Sequence, residues 1–306
     1  MIQHPPYLSR GSRIGITCPS GYVSADRVSY SMELLKLWGF EVVPGKTIGT
    51  GEYYFSGNDE ERLRDLQTML DNPELDAIIM GRGGYGMSRI IDRVDFTAFL
   101  QKPKWICGFS DIVVLHNHIQ AISGIPTLHS PMCGAFRPET TNTDHIKNFF
   151  AAITGESLFY HVPHSEHNRT GIAEGILTGG NLAILAHLTG SGSEVNTDGK
   201  ILFIEDIGEH LYHIDRLMLN LKRAGKLNHL KGLVVGSFTE VEDTDRPFGQ
   251  TVEEIISDKV SEYNYPVVFN FPAGHQEVNY TLTLGMLHKL IVNDQGAQLE
   301  LRRQHT

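Results

Sequence analysis

Short apolar segments alternate with helix-length stretches through the first half of the chain, and this alternation constrains the fold more than any other feature. RIGITCPSG (13–21), DAIIMG (76–81) and KWICGF (104–109) have the length and apolar character of buried strands. Amphipathic stretches of about 10 to 15 residues separate them. Asn58, with Glu61 three residues later, is typical of a capping box that begins a helix. Strands joined by helices of this length form βαβ units, so the sequence predicts a parallel sheet covered by helices.

A polar segment, GESLFYHVPHSEHNRT (155–170), interrupts the alternation and is the predicted linker. We therefore expect an α/β domain over 1–154 and a second, β/α domain over 171–306. In the second domain LTGGN (177–181) is predicted to be a glycine-rich turn. The closing segment LTLGMLHKLIVNDQGAQLELR predicts a β-hairpin that turns near 294–296. The expected fold class is α/β in two domains, with the second sheet mixed by this hairpin.

Composition and charge exclude several classes of protein. The chain has 306 residues, of which 41% are hydrophobic and 20% are charged, as in a soluble globular protein. A net charge of -10 argues against a nucleic-acid or anionic-membrane partner, since both require a basic face. No apolar run reaches the roughly 18 residues of a spanning helix, and the N-terminus lacks the apolar core of a signal peptide. Three scattered cysteines do not make a disulfide framework. We expect a cytoplasmic protein.

The loop GRGGYG (81–86) spells G-x-G-x-x-G directly after a predicted strand. A dinucleotide fingerprint belongs to the first strand of its βαβ unit and needs an acidic residue after the next strand. This loop follows a later strand, DAIIMG, and the next strand, KWICGF, carries no acid. Two interpretations remain: a tight turn, or a loop whose amides bind an oxyanion or a carboxylate. His161, His164 and His167 recur every third residue but lack an ordered set of carboxylates or thiolates. We expect no nucleotide cofactor and no metal.

Ser110 lies where the apolar segment KWICGF gives way to an amphipathic helix. A serine at this position is either a helix N-cap or the nucleophile of a strand-turn-helix elbow. The elbow pattern G-x-S-x-G is half met, because Ile112 replaces the second glycine. A nucleophilic serine needs a base and an orienting acid. Other strand ends supply Glu205 in KILFIED and His275 in PAGHQ, although 15 histidines leave the choice of base open on spacing alone.

Seven segments, in order from about residue 14 to residue 292, resemble the LD-carboxypeptidase family of serine peptidases, which includes muramoyl-tetrapeptide carboxypeptidases and microcin-immunity proteins. The resemblance implies a Rossmann-like N-terminal domain and a smaller C-terminal β/α domain, with the active site between them. It also implies a homodimer. The segments are GRGGYGMSRIID, ICGFSDIVVLH, LHSPM, LTGGNLAIL, ILFIEDIGEHLYHIDRLMLNL, GLVVGSF and GHQEVNYTLTLG.

The resemblance also implies roles for individual residues. Ser110 in GFSD matches the nucleophile, Glu205 in LFIED matches the acid and His275 in GHQEVNYTLTLG matches the base. The backbone amides of Gly84 and Asp111 match the oxyanion hole. The implied reaction uses no cofactor.

The substrate implied by the resemblance is a murein tetrapeptide, from which the enzyme removes a C-terminal D-alanine during cell-wall recycling. Such a substrate carries a free carboxylate, for which Arg82 and Arg89 beside the glycine loop are the candidate partners. The alternative for both arginines is solvent or a surface ion pair. Val113 stands where the family often has threonine, and LTLG (282–285) where it usually has Leu-Pro-Leu-Gly. These departures leave the triad positions intact and bear on substrate preference.

Two other functions stay open on the sequence. An immunity-type serine peptidase of the same family, cleaving a nucleotidyl-peptide antibiotic or a related acyl-amidate, has the same motifs. The loops at about 137–170 and 239–250 are expected to distinguish the two, since a long insertion with aromatic residues favours stacking on a nucleobase. A non-catalytic protein that binds a small anion in a cleft is the third interpretation.

Overall fold

A computed structural model describes residues 4–51 and 53–302. The chain divides into two compact units. The first is formed by the chain up to Ser157 with Tyr280–Leu282, and the second by Leu158–Asn279 with the chain from Thr283 onward. Each unit is built on one β-sheet with helices, so the predicted two-domain α/β fold is confirmed.

The strands of the first unit are β1 (Arg13–Thr17), β2 (Glu41–Pro44), β3 (Ala77–Met80), β4 (Trp105–Gly108) and β5 (Thr127–His129), and the helices are α1 (Ala25–Leu37), α2 (Asp59–Asp71), α3 (Thr97–Gln101), α4 (Val113–Ile122) and α5 (Asp144–Thr154). The five strands form a parallel sheet in the order β5-β4-β3-β1-β2. A further short strand, β11 (Leu282–Leu284), lies at the edge beside β5.

The local sequence explains where these elements begin. Every residue of β3 and β4 is buried, which is why both segments are apolar without alternation. The Asn58 side chain accepts from the Glu61 amide while the Glu61 carboxylate accepts from the Asn58 amide, so the predicted capping box is confirmed. Since β3 and β4 are neighbouring parallel strands, the loops that follow them leave the same edge of the sheet.

The strands of the second sheet are β6 (Phe159–Pro163), β7 (Gly171–Asn181), β8 (Ile201–Ile207), β9 (Gly232–Thr239), β10 (Val267–Val268), β12 (Leu287–Asn293) and β13 (Gly296–Leu301), and the helices of this unit are α6 (Leu182–Leu188), α7 (Leu211–Arg223) and α8 (Val252–Lys259). The sheet is mixed, with the strand order β10-β9-β8-β7-β12-β13-β6. Strands β7 to β10 run parallel, and β12, β13 and β6 add to β7 in antiparallel fashion. The predicted closing hairpin is confirmed as β12 and β13.

The predicted glycine turn at LTGGN is wrong, because these residues complete strand β7 and lead directly into α6. A Cβ atom on Gly179 would lie 2.0 Å from the Phe203 carbonyl oxygen of the neighbouring strand. Glycine therefore permits close approach of two strands here. Asn181 ends the strand and caps the helix, accepting from the Ile184 amide.

None of the helices formed by the described residues has the length and apolar character that a membrane crossing requires.

Candidate active site

Ser110 occupies a strained turn at the end of β4. Its φ angle is +62°, in the left-handed region that a non-glycine residue adopts at a cost of about 1–3 kcal/mol. An N-cap residue is extended instead, and the helix starts at Phe109 and Ile112 carry no side-chain cap. The N-cap interpretation of Ser110 is therefore wrong. A sharp, strained turn that presents the hydroxyl is the geometry of a nucleophile elbow.

The glycine loop lies directly against this turn. A Cβ atom on Gly83 would be 2.8 Å from the Ser110 Cβ and 3.0 Å from its Oγ, so any side chain at position 83 would collide with the serine. Gly84 follows with φ of +100° and Gly86 with φ of +143°. Glycines at these positions let the backbone of the loop approach Ser110 and adopt turns that other residues resist.

The side chain of Asp111 ties the serine turn to the glycine loop. Its carboxylate is buried, and Oδ2 accepts from the Ser20 hydroxyl at 2.6 Å and from the Met87 amide at 2.7 Å. Ser20 lies in the segment after β1, and Met87 directly follows the loop. One carboxylate therefore connects the segments that follow three neighbouring strands.

Arg62, which the sequence analysis did not single out, binds the backbone of the glycine loop. Its guanidinium is fully buried, stacks on the Phe55 ring at 4.7 Å and donates to the carbonyl oxygens of Gly86 at 3.1 Å and Gly57 at 3.2 Å. The signal for it is helical spacing: Arg62 precedes the buried Leu66 by four residues on α2. An arginine on the apolar face of a helix is rare without a structural partner.

In the second unit, Glu205 and His275 form a buried pair although 70 residues separate them. His275 Nδ1 lies 2.6 Å from Glu205 Oε2, and the His275 amide donates to the same oxygen at 3.2 Å. Glu205 is fully buried near the end of β8, where the pairing with β9 shifts register between Ile204 and Asp206. Such an irregularity re-aims a side chain, and here it allows two consecutive acidic residues to be buried.

The pair favours the protonated form of the imidazole. Burial lowers the pKa of His275, but the hydrogen bond and charge of Glu205, with smaller contributions from Asp206 and Glu240, outweigh burial and raise this pKa above its usual value of 6.5. With its Nδ1 proton donated to Glu205, a neutral imidazole carries its acceptor lone pair on Nε2.

Asp206, at the end of β8, holds the point where strand β7 passes into helix α6. Its carboxylate accepts from Asn181 Nδ2 at 2.8 Å and from the Ala183 amide at 2.9 Å. Burial raises its pKa to about 6, against the opposing effect of these hydrogen bonds. Asp206 thereby connects the β8 end to the start of α6.

Glycines create the space for the acid–imidazole pair. Gly274 has φ of +117°, and a Cβ atom there would lie 2.7 Å from Glu205 Oε2 and 2.6 Å from Ser237 Oγ. Because Glu205 Oε2 is the atom that contacts His275, a methyl group at this position must displace the pair.

We therefore expect Gly274→Ala to lower kcat by about 100-fold, the effect of misplacing a catalytic group by about 1 Å. The matched control is Gly11→Ala, where φ is +89° and no atom lies within 4 Å of the added Cβ. Both substitutions place alanine at a positive φ, but only Gly274→Ala adds a collision. Kinetics and thermal unfolding of the two variants therefore distinguish the collision from backbone strain. Equal activities for the two variants would contradict this account of Gly274.

The two arginines beside the loop have different surroundings. Arg89 donates to both carboxylate oxygens of Asp59, from Nε at 2.9 Å and from Nη2 at 2.8 Å, and this pairing lowers the pKa of Asp59. Arg82 is exposed and donates to the Tyr22 carbonyl oxygen at 2.6 Å. Among residues 4–51 and 53–302, no carboxylate pairs with Arg82. Its guanidinium is therefore the better placed of the two to receive an anionic ligand.

The three histidines at 161, 164 and 167 lie in and after strand β6. No group of three or more His, Cys, Asp or Glu side chains within the described part of the chain is arranged to hold a metal ion. All three cysteines are buried as free thiols.

Comparison with known proteins confirms the family resemblance. Residues 14–130 match the LD-carboxypeptidase N-terminal domain and residues 174–290 match the LD-carboxypeptidase C-terminal domain. A probable murein peptide carboxypeptidase of Bacillus subtilis (strain 168) is 30% identical over 97% of this chain and 94% of the relative. The microcin C7 self-immunity protein of Escherichia coli is 25% identical over 100% of this chain and 98% of its own.

A solved structure extends this agreement to the fold. The muramoyltetrapeptide carboxypeptidase of Oxalobacter formigenes superposes with a TM-score of 0.87 at 30% identity, covering 96% of this chain and 100% of the other. Structural and sequence similarity together define a hydrolase of the peptidase class. The chain belongs to the LD-carboxypeptidase family.

Proposed function

We propose that this protein is a serine L,D-carboxypeptidase that removes the C-terminal D-alanine from murein tetrapeptides in cell-wall recycling. The observation that carries the proposal is the buried hydrogen bond between His275 Nδ1 and Glu205 Oε2, because it fixes the tautomer in which Nε2 accepts a proton. The strained Ser110 at the end of β4 supplies the hydroxyl. Names of relatives in Bacillus subtilis and Oxalobacter formigenes support the choice of substrate.

In the proposed mechanism the Ser110 oxygen attacks the carbonyl carbon of the scissile peptide bond while His275 takes its proton. The negative charge that develops on the carbonyl oxygen is bound by the amides of Gly84 and Asp111, each donor contributing about 3 kcal/mol in the transition state. Glu205 stabilises the imidazolium, which then protonates the leaving amine of D-alanine. Water, activated by the same imidazole, hydrolyses the acyl-enzyme and regenerates the Ser110 hydroxyl.

A carboxypeptidase must also recognise the free carboxylate of its leaving group. We assign this role to Arg82, because its guanidinium has no carboxylate partner among the described residues, whereas that of Arg89 is bound to Asp59. Arg89 then acts through Asp59, which also pairs with the buried Arg62. Arg82→Ala is expected to impair binding of the substrate acid.

The pH dependence of kcat/KM should report the raised pKa of His275. The base must be neutral, so activity should rise with pH through a pKa above the usual 6.5, since Glu205 holds the imidazole protonated at lower pH. Measuring kcat/KM from pH 5 to 9 locates this ascending limb. A limb at or below about pH 6.5 would contradict the raised pKa of His275 and the effect of Glu205 on it.

The loop between β9 and α8 favours the murein substrate over a nucleotidyl peptide. In the segment 240–251 the one aromatic residue is Phe248, and four carboxylates precede it. A loop of this composition offers little surface for stacking on a nucleobase. The test is a comparison of kcat/KM for murein tetrapeptide and for an aminoacyl sulfamoyl nucleoside. A clear preference for the nucleoside would replace the murein proposal by the immunity-type function.

We further propose that the protein acts in the cytoplasm as a homodimer. The three free, buried thiols agree with a reducing compartment. The dimer is an expectation from the family, for which sedimentation of the purified protein is the test.

A further inference from the structure

Tyr54 places a phenol hydroxyl against the glycine loop. A Cβ atom on Gly84 would lie 2.9 Å from the Tyr54 oxygen, so the hydroxyl lies beside Gly84, the residue whose amide we assign to the oxyanion hole. Half of the Tyr54 side chain is exposed, and the described residues provide no hydrogen-bond partner for its oxygen. The hydroxyl is therefore available to a ligand at this point.

The backbone holds this tyrosine in place. The segment that contains it pairs with the segment after β1: the Tyr22 amide donates to the Tyr54 carbonyl oxygen at 2.9 Å, and the Ser56 amide donates to the Ser20 carbonyl oxygen at 3.2 Å. The same segment after β1 is bound to the loop, because the Gly21 amide donates to the Gly83 carbonyl oxygen at 2.9 Å. Tyr54 is thus fixed relative to Gly83, which contacts Ser110.

Arg82 belongs to the same assembly. Its guanidinium donates to the Tyr22 carbonyl oxygen, and Tyr22 is the residue whose amide binds Tyr54. A Cβ atom on Gly21 would lie 3.7 Å from Arg82 Nε, and one on Gly84 would lie 3.6 Å from the Gly21 Cα and 2.9 Å from the Tyr54 oxygen. The cation and the neutral hydroxyl donor therefore both lie near Gly21. Neither an acidic side chain nor a backbone carbonyl of the described residues accepts from the Tyr54 hydroxyl.

The covalent structure of a carboxypeptidase substrate keeps its terminal carboxylate close to the scissile bond. Three covalent bonds join the scissile carbonyl carbon to the terminal carboxylate carbon, which keeps the two atoms within about 4 Å. A group that binds the carboxylate must therefore adjoin the oxyanion hole. Tyr54 meets this requirement at Gly84, and a charge-assisted hydrogen bond to a carboxylate is stronger than a neutral one.

We propose that Tyr54 is a specificity residue whose hydroxyl donates a hydrogen bond to the free C-terminal carboxylate of the substrate, beside the Arg82 guanidinium. This inference rests on the proposed carboxypeptidase function. It explains selection of an exopeptidase substrate: a peptide that continues past the scissile residue, or ends in an amide, lacks the second charged oxygen that these two donors share.

The test measures binding without turnover, in the Ser110→Ala background. Calorimetry gives the Kd of a murein tetrapeptide with a free C-terminal D-alanine and of the same peptide ending in a carboxamide. We expect Tyr54→Phe to weaken binding of the acid by about 10-fold or more and that of the amide by less than about twofold. Tyr53→Phe is the matched control, since its side chain is 88% exposed, and should leave both Kd values unchanged.

Two results would overturn the role of Tyr54 without touching the carboxypeptidase function, provided that the unaltered protein releases D-alanine. Tyr54→Phe would either weaken binding of the acid and the amide peptides equally or leave both Kd values unchanged. A different pair of results would contradict the carboxypeptidase function itself, and this inference with it. These are that the peptide with the free carboxylate does not bind to the Ser110→Ala protein and that the protein with Ser110 releases no D-alanine. Thermal unfolding of each variant identifies any effect on the fold.

Discussion

Ser110→Ala should lower kcat for peptide hydrolysis by at least about 10,000-fold while leaving the thermal unfolding transition unchanged. The substitution removes the only atom that forms the acyl-enzyme bond in the proposed mechanism. The fold should tolerate it, because the Ser110 side chain is only partly buried. Alanine in the left-handed conformation retains the backbone cost already present in serine, so the folded states should differ little in stability.

Kinetics and covalent labelling check this result together. A serine-reactive phosphonate should label the unaltered protein at Ser110 and leave the alanine variant unlabelled. Ser29→Ala is the matched control, because Ser29 is exposed on α1 and its hydroxyl donates to the Asp26 carbonyl oxygen of the same helix. A Ser110→Ala protein that keeps more than a few per cent of the activity would show that another group is the nucleophile.

Glu205→Gln should reduce kcat by about 1,000- to 10,000-fold and also change the pH profile. The amide no longer offsets the charge of the imidazolium, so burial then dominates and the pKa of His275 falls. The ascending limb of kcat/KM should therefore move to lower pH while its plateau drops. A variant that merely disturbed packing would lower the plateau without moving the limb.

The matched control for this substitution is Glu174→Gln, which makes the same chemical change on an exposed position of β7. It should leave both the plateau and the limb in place. An unchanged limb in Glu205→Gln, with the plateau reduced, would contradict the electrostatic role of Glu205 and leave it a structural one.

The sequence pattern predicts the strands that are buried on both faces and the closing hairpin, but it misses the half-buried strand β6 and the edge strand β2. Strands β3 and β4 are continuous apolar segments because helices cover a parallel sheet on both sides. Strand β6 lies within the segment interpreted as a linker, although Tyr160 and Val162 alternate with exposed residues as expected for a half-buried strand. Its short length and polar flanks hide this alternation. The edge strand β2 has no fully buried residue to mark it.

Some residues of the candidate site can be found from local sequence, and others cannot. Ser110 and the glycine loop are visible locally, because each directly follows an apolar strand. Glu205 and His275 meet across 70 residues, a pairing that periodicity cannot specify and that the family resemblance supplied. Arg62 and Tyr54 were missed, since their importance depends on which carbonyl oxygens or glycines the fold brings beside them. No local pattern encodes those neighbours.

The most direct test of the central claim is hydrolysis of a murein tetrapeptide by the purified protein, with Ser110→Ala assayed in parallel and the products identified by mass spectrometry. Our account predicts free D-alanine and the corresponding tripeptide from the unaltered protein, and neither product from the variant. Release of D-alanine by both proteins would contradict the assignment of Ser110. Absence of release from the unaltered protein, under conditions where the phosphonate still labels Ser110, would contradict the murein substrate.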